Sequence, residues 1–331
     1  GVSPRPPPCQ AGVDWHTVEL PARIDLAGGW LDTPPICYEV GGCVVNVAVR
    51  IDGKLPIGAR CRRTPGTLSL RLDVEGGESC ECTELDHIMD FSSPSAPCAL
   101  LKASLVAAGA VIFGPGAPPL QEQLSGDGGG LWLQCWSRLP RGSGMGTSSI
   151  MAGAMLRAVG QACGKPYSLE GAVHGVLEVE QLLTTGGGWQ DQVGGLYPGF
   201  KLCQSQATLP LSVTTEVLPV FPYVLTNLES HIVLVYTGMA RLAKTLLQDV
   251  LRRWHLRVPS VVATIEKLQE TAQAQREAVI SGDIAMVGAL LSDYWEQKKA
   301  MAPGTEPPLV KRLMDAVRNE CYGMSCAGAG G

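Results

Sequence analysis

Hydrophobic positions follow two rhythms along this chain, strand-like mostly in its first two thirds and helical mostly towards its end. Ile150, Met151, Ala154, Met155, Ala158 and Val159 recur at the spacing of one helix face, which predicts a helix over about 148–163. Leu169, Val173, Val176, Leu177 and Leu183 make a second stripe over 168–184, with Ser168 placed to cap it. Further helices are expected at 99–110, 240–256, 259–280, 283–301 and 308–320. Alternation or continuous β-branched runs predict strands at 18–27, 44–49, 68–74, 131–136 and 232–236, and a strand-rich stretch from 193 to about 220. The five carboxylates of 75–86 read as a solvated hairpin loop, and Asp32-Thr33-Pro34-Pro35 as a loop or helix start. This order of elements fits an α+β fold better than a doubly wound array.

Composition adds a domain estimate and excludes some partners. A chain of 331 residues exceeds a usual single core. A composition shift near residue 205 suggests an N-terminal domain over 12–205 and a C-terminal domain over 206–331, behind a proline-rich linker at 1–11. The chain opens on proline-rich sequence without a methionine, which reads as a piece of a longer polypeptide with a preceding domain. A net charge of −5 excludes the basic footprint of a nucleic-acid binder. The longest apolar runs, 44–49 and 232–236, are far too short to span a membrane. Twelve scattered cysteines, of which Cys80 and Cys82 form the closest pair, lack a zinc-ligand spacing and read as free thiols of a reducing cytoplasm.

The glycine excess, 40 residues, concentrates in a few loops. One of them is chemically distinctive. Gly142, Gly144 and Gly146 alternate and run into Thr147, Ser148 and Ser149, where the 148–163 helix begins. Free N–H groups and the positive dipole end of that helix would face the loop, which suits phosphate, and a hydroxyl there can ligate Mg²⁺. A Walker A loop is excluded, because no lysine precedes the hydroxyls, and a dinucleotide fingerprint is excluded by Thr147 in the place of the last glycine. Taken alone, the loop reads rather as a turn that caps an ordinary helix.

Four charged residues stand out from their surroundings. Glu180 lies on the apolar stripe of 168–184, where an ionised carboxylate needs a cation or donors, unless it sits at the edge of the stripe and reaches water. Eleven residues on, Asp191 follows Gly186-Gly187-Gly188-Trp189-Gln190; it could take a proton from a substrate hydroxyl or simply hold an Asx turn. Arg23 alternates with apolar neighbours and would need an anion, either Asp191 or phosphate. Asp32, past the Gly28-Gly29 turn, could bind sugar hydroxyls, with Trp30 offering a flat face to a pyranose ring; a surface salt bridge and a buried tryptophan are the plain alternatives.

Together these segments resemble the GHMP kinases, whose three signatures occur here in order. The first runs Pro21-Ala22-Arg23-Ile24-Asp25-Leu26-Ala27-Gly28-Gly29-Trp30-Leu31-Asp32, the second from Pro140 to Ser149, and the third from Gly323 to Gly331. The resemblance implies a two-domain α+β fold with its active site in the interdomain cleft, ATP and Mg²⁺ as cofactors, and a sugar hydroxyl as acceptor. The Gly-Gly-Trp-x-Asp-Thr-Pro-Pro form is similar to that of the fucokinase branch and related heptose-phosphate kinases, which implies L-fucose phosphorylated at its anomeric hydroxyl. A heptose-phosphate kinase and a non-catalytic sugar and ATP sensor are the alternatives. By position the resemblance makes Asp191 the catalytic base and Arg23 its basic partner. It makes Pro140, Gly142, Ser143, Gly144, Met145, Gly146, Thr147, Ser148 and Ser149 the ATP-phosphate loop, and Ser148 with Glu180 the Mg²⁺ ligands. Gly29, Trp30, Asp32 and Gly188 fall on the sugar side, and Gly328, Ala329 and Gly330 on the third glycine loop. Two departures are visible: Gly29-Trp30 replaces the Glu-His of galactokinases, and Ala327 stands where threonine is common. The chain also stops inside the third signature, so the strand expected after it is not included.

Overall fold

The computed structural model describes residues 14–328 except 94, 141 and 239–242, so the 1–11 linker, Ala329 and Gly330 lie outside the described residues. The strands are β1 (His16–Leu20), β2 (Ala22–Ala27), β3 (Gly42–Val49), β4 (Ile57–Thr64), β5 (Leu70–Val74), β6 (Ser79–Cys82), β7 (Gly130–Ser137), β8 (Phe200–Ser205) and β9 (Val213–Val217). The helices are α1 (Ile36–Val40), α2 (Asp86–Met89), α3 (Ala99–Ala107), α4 (Leu120–Gly126), α5 (Thr147–Ala162), α6 (Leu169–Leu182), α7 (Gln190–Leu196), α8 (Pro222–His231), α9 (Ala243–His255), α10 (Pro259–Ser281), α11 (Ile284–Met301) and α12 (Pro308–Val317). They form two compact units that interleave along the sequence.

The first unit comprises residues up to Leu20, Lys54–Arg138 and Ser148–Gly186. Its five-stranded sheet has the order β1-β4-β7-β5-β6, antiparallel except for β5 against β7. One face is apolar, with Ala59, Cys61, Leu70, Leu72, Leu131, Leu133 and Cys135 all buried. The other carries alternate polar positions that stack on one another. Arg60 and Arg62 lie 4.4 and 4.7 Å from the Trp15 ring, and Arg62 and Arg71 lie 4.6 and 4.2 Å from Trp132. Helices α3, α5 and α6 share a cluster of Ala99, Ala103, Ala152, Leu156, Val176 and Val179, where alanines let the helices approach closely. Ser168 caps α6 as expected, accepting from the Gly171 N–H at 3.0 Å.

The second unit comprises Pro21–Gly53, Leu139–Thr147 and the chain from Gly187 onward. Its antiparallel sheet, β2-β3-β8-β9, aligns Ile24 with Val47 and Val47 with Phe200. Those side chains join Val45, Leu202, Val261, Leu268 and Ala272 in the core beneath α10. Helix α7 lies against β2, β3 and β8.

Several expected elements take a different form. The run 18–27 is two strands, not one, because Pro21 has no N–H and interrupts the ladder; β1 and β2 then enter different sheets. The stretch from 193 opens as helix α7, and 75–86 contains β6, which pairs Cys82 with Leu70. Residues 232–236 form no strand: Val233 is 81% and Val235 72% exposed, and a continuous apolar run cannot by itself supply the neighbour a ladder requires. Strand β4 and helices α4 and α8 were not anticipated. The units follow the two sheets, so residue 205 falls at the end of β8 inside the second unit.

Candidate active site

Strand β2 is buried along its whole length, which forces its two charged residues to find partners. Arg23, 2% exposed, does so with its entire guanidinium. Nε and Nη2 donate to Asp191 Oδ1 at 2.9 and 2.5 Å, while Nη1 donates to Asp25 Oδ1 at 3.1 Å and to the Gly144 carbonyl at 2.8 Å. Asp191 sits in the first turn of α7 with its side chain 29% exposed. Burial opposes the charge on Arg23, but Asp191 and Asp25 outweigh it and hold its pKa above the ordinary value.

Asp25 is the hub of this network. Besides Arg23, it accepts from Tyr294 OH at 2.7 Å, Lys298 Nζ at 2.9 Å and the Gly328 N–H at 2.9 Å. Burial alone would raise its pKa, yet Lys298 and Arg23 hold the carboxyl well below the usual carboxylate range. The second and third glycine loops therefore meet at one point: a Cβ on Gly144 (φ 70°) would lie 2.4 Å from the Ala327 carbonyl.

Within the second loop, Gly142, Gly144 and Gly146 all have positive φ, and Met145 O accepts from Arg23 N at 3.4 Å. The Ser143 Oγ and Thr147 Oγ1 atoms are buried without protein partners, and Pro140 O accepts from Ser143 N. At the start of α5, Ser148 is exposed and Ser149 is buried. Ser149, not Ser148, contacts Glu180, donating to its Oε1 at 2.7 Å, and Thr185 Oγ1 bonds the other carboxylate oxygen. Glu180 is 8% exposed, so it occupies the buried stripe rather than its edge. Its oxygen and the neighbouring hydroxyls are hard donors of the kind Mg²⁺ takes, and the exposed Ser148 hydroxyl remains open. Among the described residues no group of three or more His, Cys, Asp or Glu could hold a metal by itself, so such an ion would need further oxygens from a nucleotide.

On the other side of β2's terminal turn, Asp32 is 1% exposed and its Oδ2 accepts from Gln190 N at 3.1 Å. Its Oδ1 is buried with no partner. Burial pushes this carboxyl up to about 7, against the Gln190 N–H and with help from the negative Asp191. Gly188 borders it so closely that a Cβ there would lie 1.9 Å from Oδ2. Trp30 differs from expectation: with φ 83° it turns its ring into the core at 8% exposure, so its flat face is covered and only its unpartnered Nε1 remains to bond a ligand.

Comparison with known proteins now bears on this arrangement. Residues 117–199 match the model of the GHMP kinases N terminal domain. The chain is 34% identical over 314 residues to the bifunctional fucokinase/GDP-fucose pyrophosphorylase of Arabidopsis thaliana, covering 95% of this chain and 29% of that protein. It is 34% identical over 316 residues to the L-fucokinase/L-fucose-1-P guanylyltransferase of Bacteroides fragilis, covering 94% and 33%. The matched segment is a GHMP kinases N terminal domain, and the likeness to the two relatives runs over nearly the whole of this chain. The chain spans about a third of the length of these two relatives. The fold agrees: a D-glycero-D-manno-heptose 1-phosphate kinase from "Bacteriodes thetaiotaomicron" superposes with a TM-score of 0.68 at 20% identity, over 96% of this chain and 86% of the other.

At this site, sequence reasoning missed Tyr294, Lys298 and Thr185 and gave Asp25 no role. Asp25 did leave a signal, a second charge two residues after Arg23 in an otherwise apolar strand. Tyr294 and Lys298 left none, since a helix commonly carries such residues at the border of its apolar stripe.

Proposed function

We propose that this chain is the kinase portion of an L-fucose kinase, transferring the γ-phosphoryl group of ATP to the anomeric hydroxyl to give β-L-fucose 1-phosphate and ADP. The observation that carries the reading is Asp191, a partly exposed carboxylate held by Arg23 through one oxygen within a second unit that also contains the glycine loop. Its other oxygen takes the proton of the sugar hydroxyl as that oxygen bonds to the γ-phosphorus and the bond to the β-phosphate oxygen breaks. Asp32 and the Trp30 N–H bind sugar hydroxyls, and residues 140–149 cradle the phosphates. Ser148 and Glu180 hold Mg²⁺, which supplies charge neutralisation on the phosphates when bound.

The 34% identity to two fucokinases supports the substrate. The free polar atoms at Asp32 and Trp30 are an acceptor and a neutral donor, which suit a neutral sugar better than a sugar phosphate. Both relatives are named for a second, nucleotide-transferring activity, which supports a fused domain that consumes the sugar 1-phosphate. Eleven free cysteines among the described residues support a reducing, cytoplasmic setting, and no described helix is long and apolar enough to cross a membrane.

The test is ADP release from ATP and Mg²⁺ with L-fucose, D-galactose, a heptose 7-phosphate and mevalonate offered separately. Turnover is expected with L-fucose alone, with the product phosphate on the anomeric carbon by ³¹P NMR. Turnover only with the heptose phosphate, or ATP binding without turnover on any sugar, would reject the reading.

A further inference from the structure

Helix α11 presents two polar groups one turn apart on its buried face, Tyr294 and Lys298, and both reach the same oxygen. Tyr294 OH donates to Asp25 Oδ2 at 2.7 Å, and Lys298 Nζ donates to it at 2.9 Å. Their second bonds diverge. Tyr294 OH accepts from Gly29 N at 3.1 Å, in the first glycine turn. Lys298 Nζ donates to the Cys326 carbonyl at 2.8 Å, two residues before Gly328 and its contact with Gly144.

We propose that α11 is a two-armed brace anchored on Asp25, in which Tyr294 positions the sugar-side turn and Lys298 positions the nucleotide-side loop. The naming of the two sides rests on the sugar-kinase reading; the brace itself rests on the bonds. Neither residue touches a reacting atom, so both act through the loops they hold. The contact at Gly29 is tight, since a Cβ there would lie 2.1 Å from the Tyr294 oxygen. Loss of that hydroxyl leaves the buried Gly29 N–H without its acceptor, while Asp25 keeps Arg23, Lys298 and Gly328. Loss of the Lys298 ammonium frees the Cys326 carbonyl, while the Gly29 turn keeps its phenol. Each arm thus fails on its own side.

The experiment measures KM for ATP, KM for L-fucose, kcat and thermal midpoint for wild type, Tyr294→Phe and Lys298→Met. One bond of this kind corresponds to about a tenfold effect. Tyr294→Phe is expected to raise the L-fucose KM about tenfold and leave the ATP KM within about twofold, and Lys298→Met to do the reverse. Because Lys298→Met leaves Asp25 short of a cation, Asp25→Asn/Lys298→Met removes both members of the pair and should repeat the ATP defect in a folded protein. Parallel rises in both KM values that track the loss of thermal midpoint would overturn the brace, as would no change in either. If wild type phosphorylates no sugar, the kinase reading falls first. Calorimetric ATP binding then decides the brace: weaker in Lys298→Met but not in Tyr294→Phe supports it, and equal effects in both reject it.

Discussion

Arg23 holds Asp191 by a single carboxylate oxygen: Nε and Nη2 both converge on Oδ1, at 2.9 and 2.5 Å. Oδ2 accepts from no hydrogen-bond donor among the described residues. A fork that took both oxygens would fix the carboxylate but leave neither oxygen clear of the guanidinium. Here one oxygen sets the orientation and the other is left for substrate. The same guanidinium bonds Asp25 and the Gly144 carbonyl, so the orientation of Asp191 is tied to the glycine loop.

Asp191→Asn tests the first half of that relationship. The amide oxygen can still accept from Arg23, so the fold and ATP affinity should persist while the proton acceptor is lost. Turnover should fall by about two to four orders of magnitude, the usual share of a general base. Single-turnover kinetics at saturating ATP check this, and near-native turnover removes Asp191 from the base role.

Arg23→Met tests the second half. The variant strips a donor from Asp25, which keeps Lys298, Tyr294 and Gly328, and leaves Asp191 partly exposed to water. The loss of stability should therefore be about 3 kcal/mol, at the lower end for a broken buried pair. Urea denaturation measures it. Turnover should fall further than that loss explains, since Asp191 no longer has a fixed direction.

The residues that were legible in the sequence are those that break a local pattern. Glu180 interrupts an apolar helical stripe, Arg23 an apolar strand, and the alternating glycines announce a loop that approaches something closely. Tyr294 and Lys298 break nothing locally; their burial is decided by Asp25, 269 and 273 residues away. The choice between Ser148 and Ser149 was equally invisible, because only the rotation of α5 against α6 sends Ser149 to Glu180 and leaves Ser148 exposed. For the run 232–236 the pattern itself misled, since a continuous apolar run reports what a strand would bury without showing that a neighbouring strand exists.

Glu180→Gln separates a metal-binding role from a structural one. The side-chain amide keeps an oxygen that accepts from Ser149, and its NH2 can donate to the Thr185 hydroxyl, which itself donates to the Glu180 carbonyl, so the thermal midpoint should move little. The half-saturating Mg²⁺ concentration for turnover should rise at least about tenfold with the loss of the negative charge. A Mg²⁺ titration at fixed ATP decides it. An unchanged midpoint with an unchanged Mg²⁺ requirement would leave Glu180 only its hydroxyl partners.

Asp32 sets function against stability. Its carboxyl lies at about 7 in the folded chain and at an ordinary 3.8 when unfolded, chiefly because burial penalises the charged form. Between those values the folded chain binds the proton and the unfolded chain does not, so stability falls as pH rises from about 4 to 7. Above that window the folded protein carries a desolvated carboxylate with one oxygen unpartnered. Asp32→Asn removes the ionisation, and its amide oxygen can still accept from Gln190 N. The variant should therefore be more stable than wild type at pH 7.5, by an amount on the order of a few kcal/mol, and its stability should be nearly flat across the window. Sugar affinity should drop sharply, because the ionised oxygen that accepts a sugar hydroxyl has been replaced. Thermal midpoints of both proteins from pH 4 to 8 give the comparison; parallel curves would show that the Asp32 carboxyl ionises as easily folded as unfolded.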